Sequence, residues 1–276
     1  KMQNDIDWNK NNIKKAIDSS RIYYNQVFEY LVKELNEYHG LDEKPEYYHI
    51  IIGDWLTHLI HQLYLKWIIV DNKKYNDDKI TIEVSNRIDD YNVLRLGKKF
   101  NDDIKKSIYL FKNSYDFNQK IVLKKAVEKS TSSKIKSTTK LKNFFSRNLF
   151  NSENKKIIFF EPMRRNSHIN FYSKAIKWNK WMGIKSNDVL KLTDSNIHVA
   201  WRKKNLHLNK IEVSFINFIK LIAPLIIPIS ILESFKANKI LILKNNSFRP
   251  DFFYSATGLY YNAEIKILVA EWKKKG

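Results

Sequence analysis

Asp54, His58 and His61 fall at i, i+4 and i+7 of an apolar run, so a helix carries all three on one face. Two imidazoles and a carboxylate can hold a divalent metal, or act as a general base with its orienting partners. An interhelical polar seam of satisfied histidines uses the same residue types. The spacing His58-Leu59-Ile60-His61 is not the H-E-x-x-H of zinc proteases, and nothing visible requires a metal or another cofactor. The run that carries these residues, Tyr47-Tyr48-His49-Ile50-Ile51-Ile52-Gly53-Asp54-Trp55-Leu56, follows His39-Gly40 closely. A Gly and a Trp inside an apolar helical stretch, flanked by aromatic and His side chains, read as more than packing.

A second constellation lies near the end. Arg249-Pro250-Asp251 precedes a strand over Phe252–Ala256, and Thr257-Gly258 follows it. Ligands of open α/β sheets sit beyond the carboxyl ends of strands. That places Thr257, Gly258, Asn262 and Glu264 at a strand end and a helix start, where backbone N–H groups attract anions. An ordinary helix N-terminus satisfied by Asn262 and Glu264 accounts for the same residues. A third candidate is the run from Lys124 to Arg147, in which eight basic residues face the single acid Glu128. It could neutralise phosphates, with Phe144 and Phe145 stacking on bases, or be a solvated loop. No RNA-recognition, KH or zinc-finger pattern accompanies it. Trp178, Trp181 and Trp201 stand near Lys177, Lys180 and Arg202, pairs that stack on sugars or bases or edge an amphipathic core.

The elements that must position these residues follow from periodicity. Residues 7–38 repeat Ile13, Ile17, Tyr24, Phe28, Leu31 and Leu35 at helical spacing, with His39-Gly40 ending the helix. Residues 45–70 form a second, deeply buried helix with Pro45 in its first turn. Lys79–Ser85 reads as a short strand and residues 86–128 as helical pieces. Lys155–Glu161, Lys239–Leu243 and Phe252–Ala256 read as strands. Helices are expected over 168–182, Ile211–Ala223, Ile229–Ala237 and Tyr260–Lys275, with a turn at Pro224–Pro228. Strand–helix alternation in the second half predicts an α/β fold: a helix-rich first half and a parallel sheet flanked by helices. The expected parts are a helical region over 1–128, a basic Ser/Thr/Lys-rich loop or linker over 129–154, and an α/β region over 155–276 of the same lobe.

Composition bounds the chemistry. The chain has 276 residues and no cysteine, which excludes thiolate metal sites, disulfides and a cysteine nucleophile and fits a reducing cytoplasm. Its net charge of +20 draws it to polyanions: nucleic acid, anionic lipid or phosphorylated ligands. Lys, Asn and Ile are also residues that AT-rich codons encode, so codon bias is the competing explanation of that charge. The six glycines are too scattered for a G-x-G-x-x-G or P-loop cradle. Phe215–Leu232 approaches a membrane span, but Asn217, Lys220, Pro224 and Pro228 argue for two buried helices around a turn.

Three segments resemble the sugar transferases of spirochaete-type lipopolysaccharide and surface-polysaccharide clusters. The first is Leu35, His39-Gly40, Tyr47-Tyr48, Ile52-Gly53-Asp54-Trp55-Leu56 and His61-Gln62-Leu63-Tyr64, with Asp54 where the family has Pro. The second is Phe215, Phe218, Pro224, Pro228-Ile229 and Leu232-Glu233. The third runs from Phe253-Tyr254-Ser255-Ala256-Thr257-Gly258 through Tyr261-Asn262 to Ala270-Glu271. The resemblance implies the N-terminal lobe of a two-lobed, GT-B-like glycosyltransferase, related to β-Kdo transferases that use a CMP-sugar. The family's Gln-His-Gly-Gly segment is expected directly after Gly276, so the chain reads as a fragment truncated at both ends.

The resemblance implies that a nucleotide sugar is the donor and a glycan or lipid-linked molecule the acceptor. A cytoplasmic enzyme touching the anionic inner membrane face peripherally is the expectation. Asp54, Glu233, Asp251 and Glu264 are the candidate catalytic carboxylates. His39, Tyr48, Gly53, Trp55, His58, His61, Thr257, Gly258 and Asn262 are the candidate substrate contacts. A basic nucleic-acid-binding protein using residues 124–147 is the alternative, distinguished by a steep salt dependence.

Overall fold

The computed structural model describes residues 10–69, 79–85, 98–113, 117–126, 157–160, 181–184, 195–207, 212–245, 252–255 and 263–274. They fall into two compact units, Lys1–Ala126 with Asp194–Lys236, and Val127–Thr193 with Ala237–Gly276. The described residues are mostly helical, with two small parallel sheets, an α/β architecture at a coarse level.

The first unit opens with a helical hairpin. Helix α1 (Lys10–His39) and helix α2 (Pro45–Ile69) pack along each other. Gly40 takes φ 56°, and the Gly40 and Leu41 amides donate to the Glu37 and Asn36 carbonyls at 3.2 and 2.9 Å. This is a Schellman closure, in which a left-handed residue lets the chain leave while the last carbonyls stay bonded. Asn36 completes the corner, bridging the Glu43 backbone and the Tyr48 hydroxyl at 2.9–3.0 Å. Where the helices cross, Tyr24 and His49 hydrogen bond at 2.9 Å over Gly53. A Cβ at Gly53 would come within 3.2 Å of both side chains. Gly53 therefore has a packing duty that its sequence context did not suggest.

Strands β1 (Ile80–Val84) and β2 (Ile121–Lys125) pair in parallel, Ile80 opposite Ile121 and Val84 opposite Lys125. Helix α3 (Lys98–Asn113) and the single turn α4 (Phe117–Lys120) lie between them in sequence, and α3 packs on β1. A short helix α5 (Val199–Arg202) and a 3-10 turn (Lys204–His207) precede helix α6 (Phe215–Ile226). Ser214 caps α6 by accepting from the Asn217 amide, and α6 packs on α1, α2 and β1. Rings link these elements: Phe215 lies 4.9 Å from both Tyr23 and Tyr64, and Phe218 lies 5.6 Å from Trp67 and 5.4 Å from Phe111. Lys112 stands 4.3 Å over the Trp67 ring, and burial holds its amine below the ordinary lysine value.

In the second unit β3 (Ile157–Phe160) lies between β4 (Trp181–Ile184) and β5 (Phe252–Ser255), all parallel. Helix α7 (Phe235–Asn245) begins in the first unit and continues in the second. Helix α8 (Ala263–Lys274) buries Ile265, Ile267, Leu268 and Ala270, and Glu271 pairs with Lys239 of α7 at 2.6 Å.

Several expectations are corrected. Lys239–Leu243 is helical, because five residues that are nearly all apolar do not separate a strand from a buried helix. α6 runs through Pro224 to Ile226, and of the helix expected over Ile229–Ala237 residues 229–234 are turns while 235–237 are helical, the start of α7. Residues 121–125 form a strand inside the stretch read as helical pieces. Residues 181 and 182, read as the end of a helix, begin β4, and 168–180 lie outside the described residues. Ile17, expected on the buried stripe of α1, is 59% exposed.

No atom approaches a Cβ built at Gly40, so Gly40→Ala tests the left-handed backbone alone. The expected cost is roughly 1–2 kcal/mol in urea unfolding, with a smaller loss for Gly40→Asn. An unchanged midpoint for Gly40→Ala would contradict the closure.

Candidate functional site

The most constrained polar group in the first unit is Arg202, at the end of α5, whose side chain has no exposed surface. A guanidinium cannot give up its charge, so its donors must all be met inside the protein. Its Nε and Nη2 donate to Glu233 Oε1 and Oε2, both at 2.7 Å. Its Nη1 donates to the Pro224, Leu225 and Ile227 carbonyls at 3.0, 3.2 and 2.8 Å. These are carbonyls that the end of α6 leaves open. Glu233 Oε1 also accepts from the His198 amide at 2.9 Å. One ion pair thus joins the end of α6, the turn 227–234 and the segment before α5.

That group stands at the carboxyl ends of β1 and β2. The Ile229 amide donates to the Ser85 carbonyl just past β1 at 2.9 Å, and the Ala126 amide to the Val84 carbonyl at 2.9 Å. Lys125, the last residue of β2, donates through Nζ to the Ser195 carbonyl at 3.2 Å. Ser234 Oγ donates to Ser195 Oγ at 2.8 Å. The Ser230 hydroxyl is buried and has no hydrogen-bond partner among the described residues. Strand carboxyl ends are where parallel α/β units bind ligands.

The outer side of the group is aromatic. Tyr38, near the end of α1, meets the Trp201 ring at 4.9 Å and the His198 ring at 5.7 Å. His198 is exposed, and its Nδ1 lies 3.3 Å from the Tyr38 hydroxyl. Burial and then the Glu233 carboxylate push the Tyr38 hydroxyl above the usual phenol range, against Arg202. Lys204 stands 5.1 Å over Trp201 and pairs with Glu34 at 2.5 Å.

Of the residues singled out from sequence, His39 and Glu233 come together here. His39 is buried and donates from Nε2 to the Ile231 carbonyl at 3.1 Å, two residues before Glu233. Tyr48 is buried in the hairpin corner, and Gly53 and Trp55 are buried within α2. Asp54, His58 and His61 do share the outer side of α2: Asp54 is half-buried, the two histidines are exposed, and His58 Nδ1 donates to the Asp54 carbonyl at 2.8 Å. Asp54 also helps burial raise the neighbouring Tyr24 hydroxyl to about 12. Among the described residues no three His, Asp or Glu side chains gather as a metal site. Glu264 lies in the first turn of α8. Asp251, Thr257, Gly258, Asn262 and the basic run beyond Ala126 lie outside the described residues. Sequence reasoning missed His198, Ser195, Tyr38 and the internal role of Arg202. The available signal was an arginine beside a tryptophan with a histidine four positions earlier.

A parallel-stranded α/β unit with an ion-pair-braced histidine at its strand ends is thus the setting of the site. Residues 2–276 match the family described as LIC12162 family transferase, and the chain belongs to that family. No curated protein and no solved structure matches the chain.

The His61 imidazole is held below its ordinary value, first by what burial it has and then by His58. The folded state therefore favours neutral His61, while the unfolded chain takes up its proton near pH 6.5. That share of stability is present above pH ~6.5 and lost as pH falls below it. Melting temperatures from pH 7 to 5 should fall less steeply for His61→Gln than for the parent. Equal slopes would remove His61 from the acid response.

Proposed function

We propose that this transferase moves a sugar from a nucleotide-sugar donor to a surface-polysaccharide or lipopolysaccharide acceptor. The reading joins membership of a transferase family to the three segments that resemble sugar transferases. The observation that carries it is the group at the strand ends of β1 and β2: an exposed imidazole, a half-buried tyrosine and tryptophan beside it, and a carboxylate–guanidinium pair beneath. Aromatic faces with a few placed polar groups suit the mixed apolar and hydroxylated faces of a sugar.

In this reading His198 is the general base. It takes the proton of an acceptor hydroxyl as that oxygen bonds to the anomeric carbon, and the bond from that carbon to the nucleotide phosphate breaks with its electron pair leaving on the phosphate. By their place in the sequence around Phe252–Ser255, Asp251 and Glu264 remain candidate catalytic carboxylates, and Thr257, Gly258 and Asn262 candidate substrate contacts. Asp54, His58 and His61 stay as an accessory face on α2. The surplus of 49 basic over 29 acidic residues favours an anionic lipid-linked acceptor and peripheral contact with the cytoplasmic membrane face. No described helix is long and apolar enough to cross a membrane.

A thermal-shift screen with CMP-, UDP-, GDP- and dTDP-sugars tests the reading. A cognate donor at a hundred times its Kd adds about 2.7 kcal/mol to the folded state, enough for a clear rise in melting temperature. One nucleotide class stabilising the chain while the others do not is the expected result. Stabilisation by none of them, in a screen that also holds an acceptor glycolipid, would contradict sugar transfer.

A further inference from the structure

Glu233 was among the candidate reacting carboxylates, yet its surroundings suit another role. Its side chain is 4% exposed, and both oxygens are engaged by a guanidinium with no exposed surface. Oε1 has a second donor in the His198 amide. A carboxylate whose two oxygens accept three charge-assisted or amide hydrogen bonds, and which is almost wholly buried, has no open path to a sugar. A neighbouring side chain does have such a path. His198 is exposed, and its backbone nitrogen is the atom that Glu233 holds.

We infer that Glu233 is a positioning residue: with Arg202 it fixes the backbone of His198 and so the place of the His198 imidazole at the ends of β1 and β2. Three contacts make the fixing rigid. Arg202 cannot turn, because Nη1 is tied to three carbonyls around the end of α6. Glu233 cannot turn, because Arg202 meets it with a two-point fork. The turn that carries Glu233 is itself fastened, by the Ile229 amide to Ser85 and by the Ile231 carbonyl to His39. His198 then has one backbone position, and the 3.3 Å contact of Nδ1 with the Tyr38 hydroxyl orients its ring. What the ring does there rests on the sugar-transfer reading; the positioning itself does not.

Amide hydrogen exchange on the full chain separates the possibilities, with the parent compared to Glu233→Gln and Glu233→Asp. Glu233→Gln keeps the shape but turns an NH2 toward Arg202. Glu233→Asp keeps the charge and loses a methylene of reach. In both, the amides of residues 197–199 should speed up about ten-fold more than those of the α1–α2 hairpin, which share only the overall loss of stability. In a transfer assay kcat should fall with KM unchanged. Unchanged exchange at His198 overturns the inference, and unchanged exchange together with lost transfer returns Glu233 to the reacting role. A loss of protection that is equal throughout the first unit in both variants also overturns it, since the pair would then only maintain the fold. Failure of every nucleotide sugar to bind would sink sugar transfer, while the exchange result still decides the positioning role.

Discussion

A guanidinium with no exposed surface is the constraint around which the first unit is built. Moving such a charge out of water costs several kcal/mol, and only complete hydrogen bonding with a counter-charge repays it. Arg202 obtains its counter-charge and its hydrogen-bond acceptors from parts of the chain 22 to 31 residues away: the end of α6 and Glu233. Each partner gains as well. α6 ends inside the protein, and Arg202 donates to the carbonyls that its last turn leaves open. Residues 221–232 are all buried, so the polar backbone of the turn after α6 has to be met inside the protein: by Arg202 at Ile227, by Ser85 at Ile229 and by His39 at Ile231. A lysine offers one point charge in place of the planar fork and could not reach both Glu233 and three carbonyls.

The helical hairpin presents the other wall. α1 and α2 approach closely at Gly53, where Tyr24 and His49 occupy the space a side chain would fill. The Schellman closure at Gly40 fixes how α1 ends, and hence where Tyr38 and His39 stand. His39 then ties the hairpin to the turn through the Ile231 carbonyl, and Tyr38 covers His198 and Trp201. Packing between apolar surfaces sets the distances, and a few directional bonds at the hairpin's closed end set the orientation.

Much of this was legible in the residues, for reasons that are local. The long period of α1 and α2, Pro45 at a helix start and Gly40 at a helix end depend on neighbours within a few positions. The alternation of Ile80, Ile82 and Val84 is a short-range signal too, and so is the apolar stretch that became β3. What was hidden depends on distant partners. Nothing near Arg202 shows that it is buried, because its partners come from α6 and from the turn beyond. Gly53 and Trp55 drew attention as a signature, yet the reason for the glycine lies 29 positions away in Tyr24. Lys239–Leu243 and Ile121–Lys125 misled because runs of three or four apolar residues fit either period, and tertiary contacts decide between them.

The claim that the Arg202–Glu233 pair organises the site is tested most directly by a double-mutant cycle. Arg202→Met and Glu233→Leu are unfolded in urea singly and together. Each single variant leaves an uncompensated buried charge and should lose roughly 3–5 kcal/mol. The double variant should fall short of the sum of the two by more than ~2 kcal/mol. Losses that add within about 0.5 kcal/mol would mean that the two residues act independently, and the account of the site would be wrong.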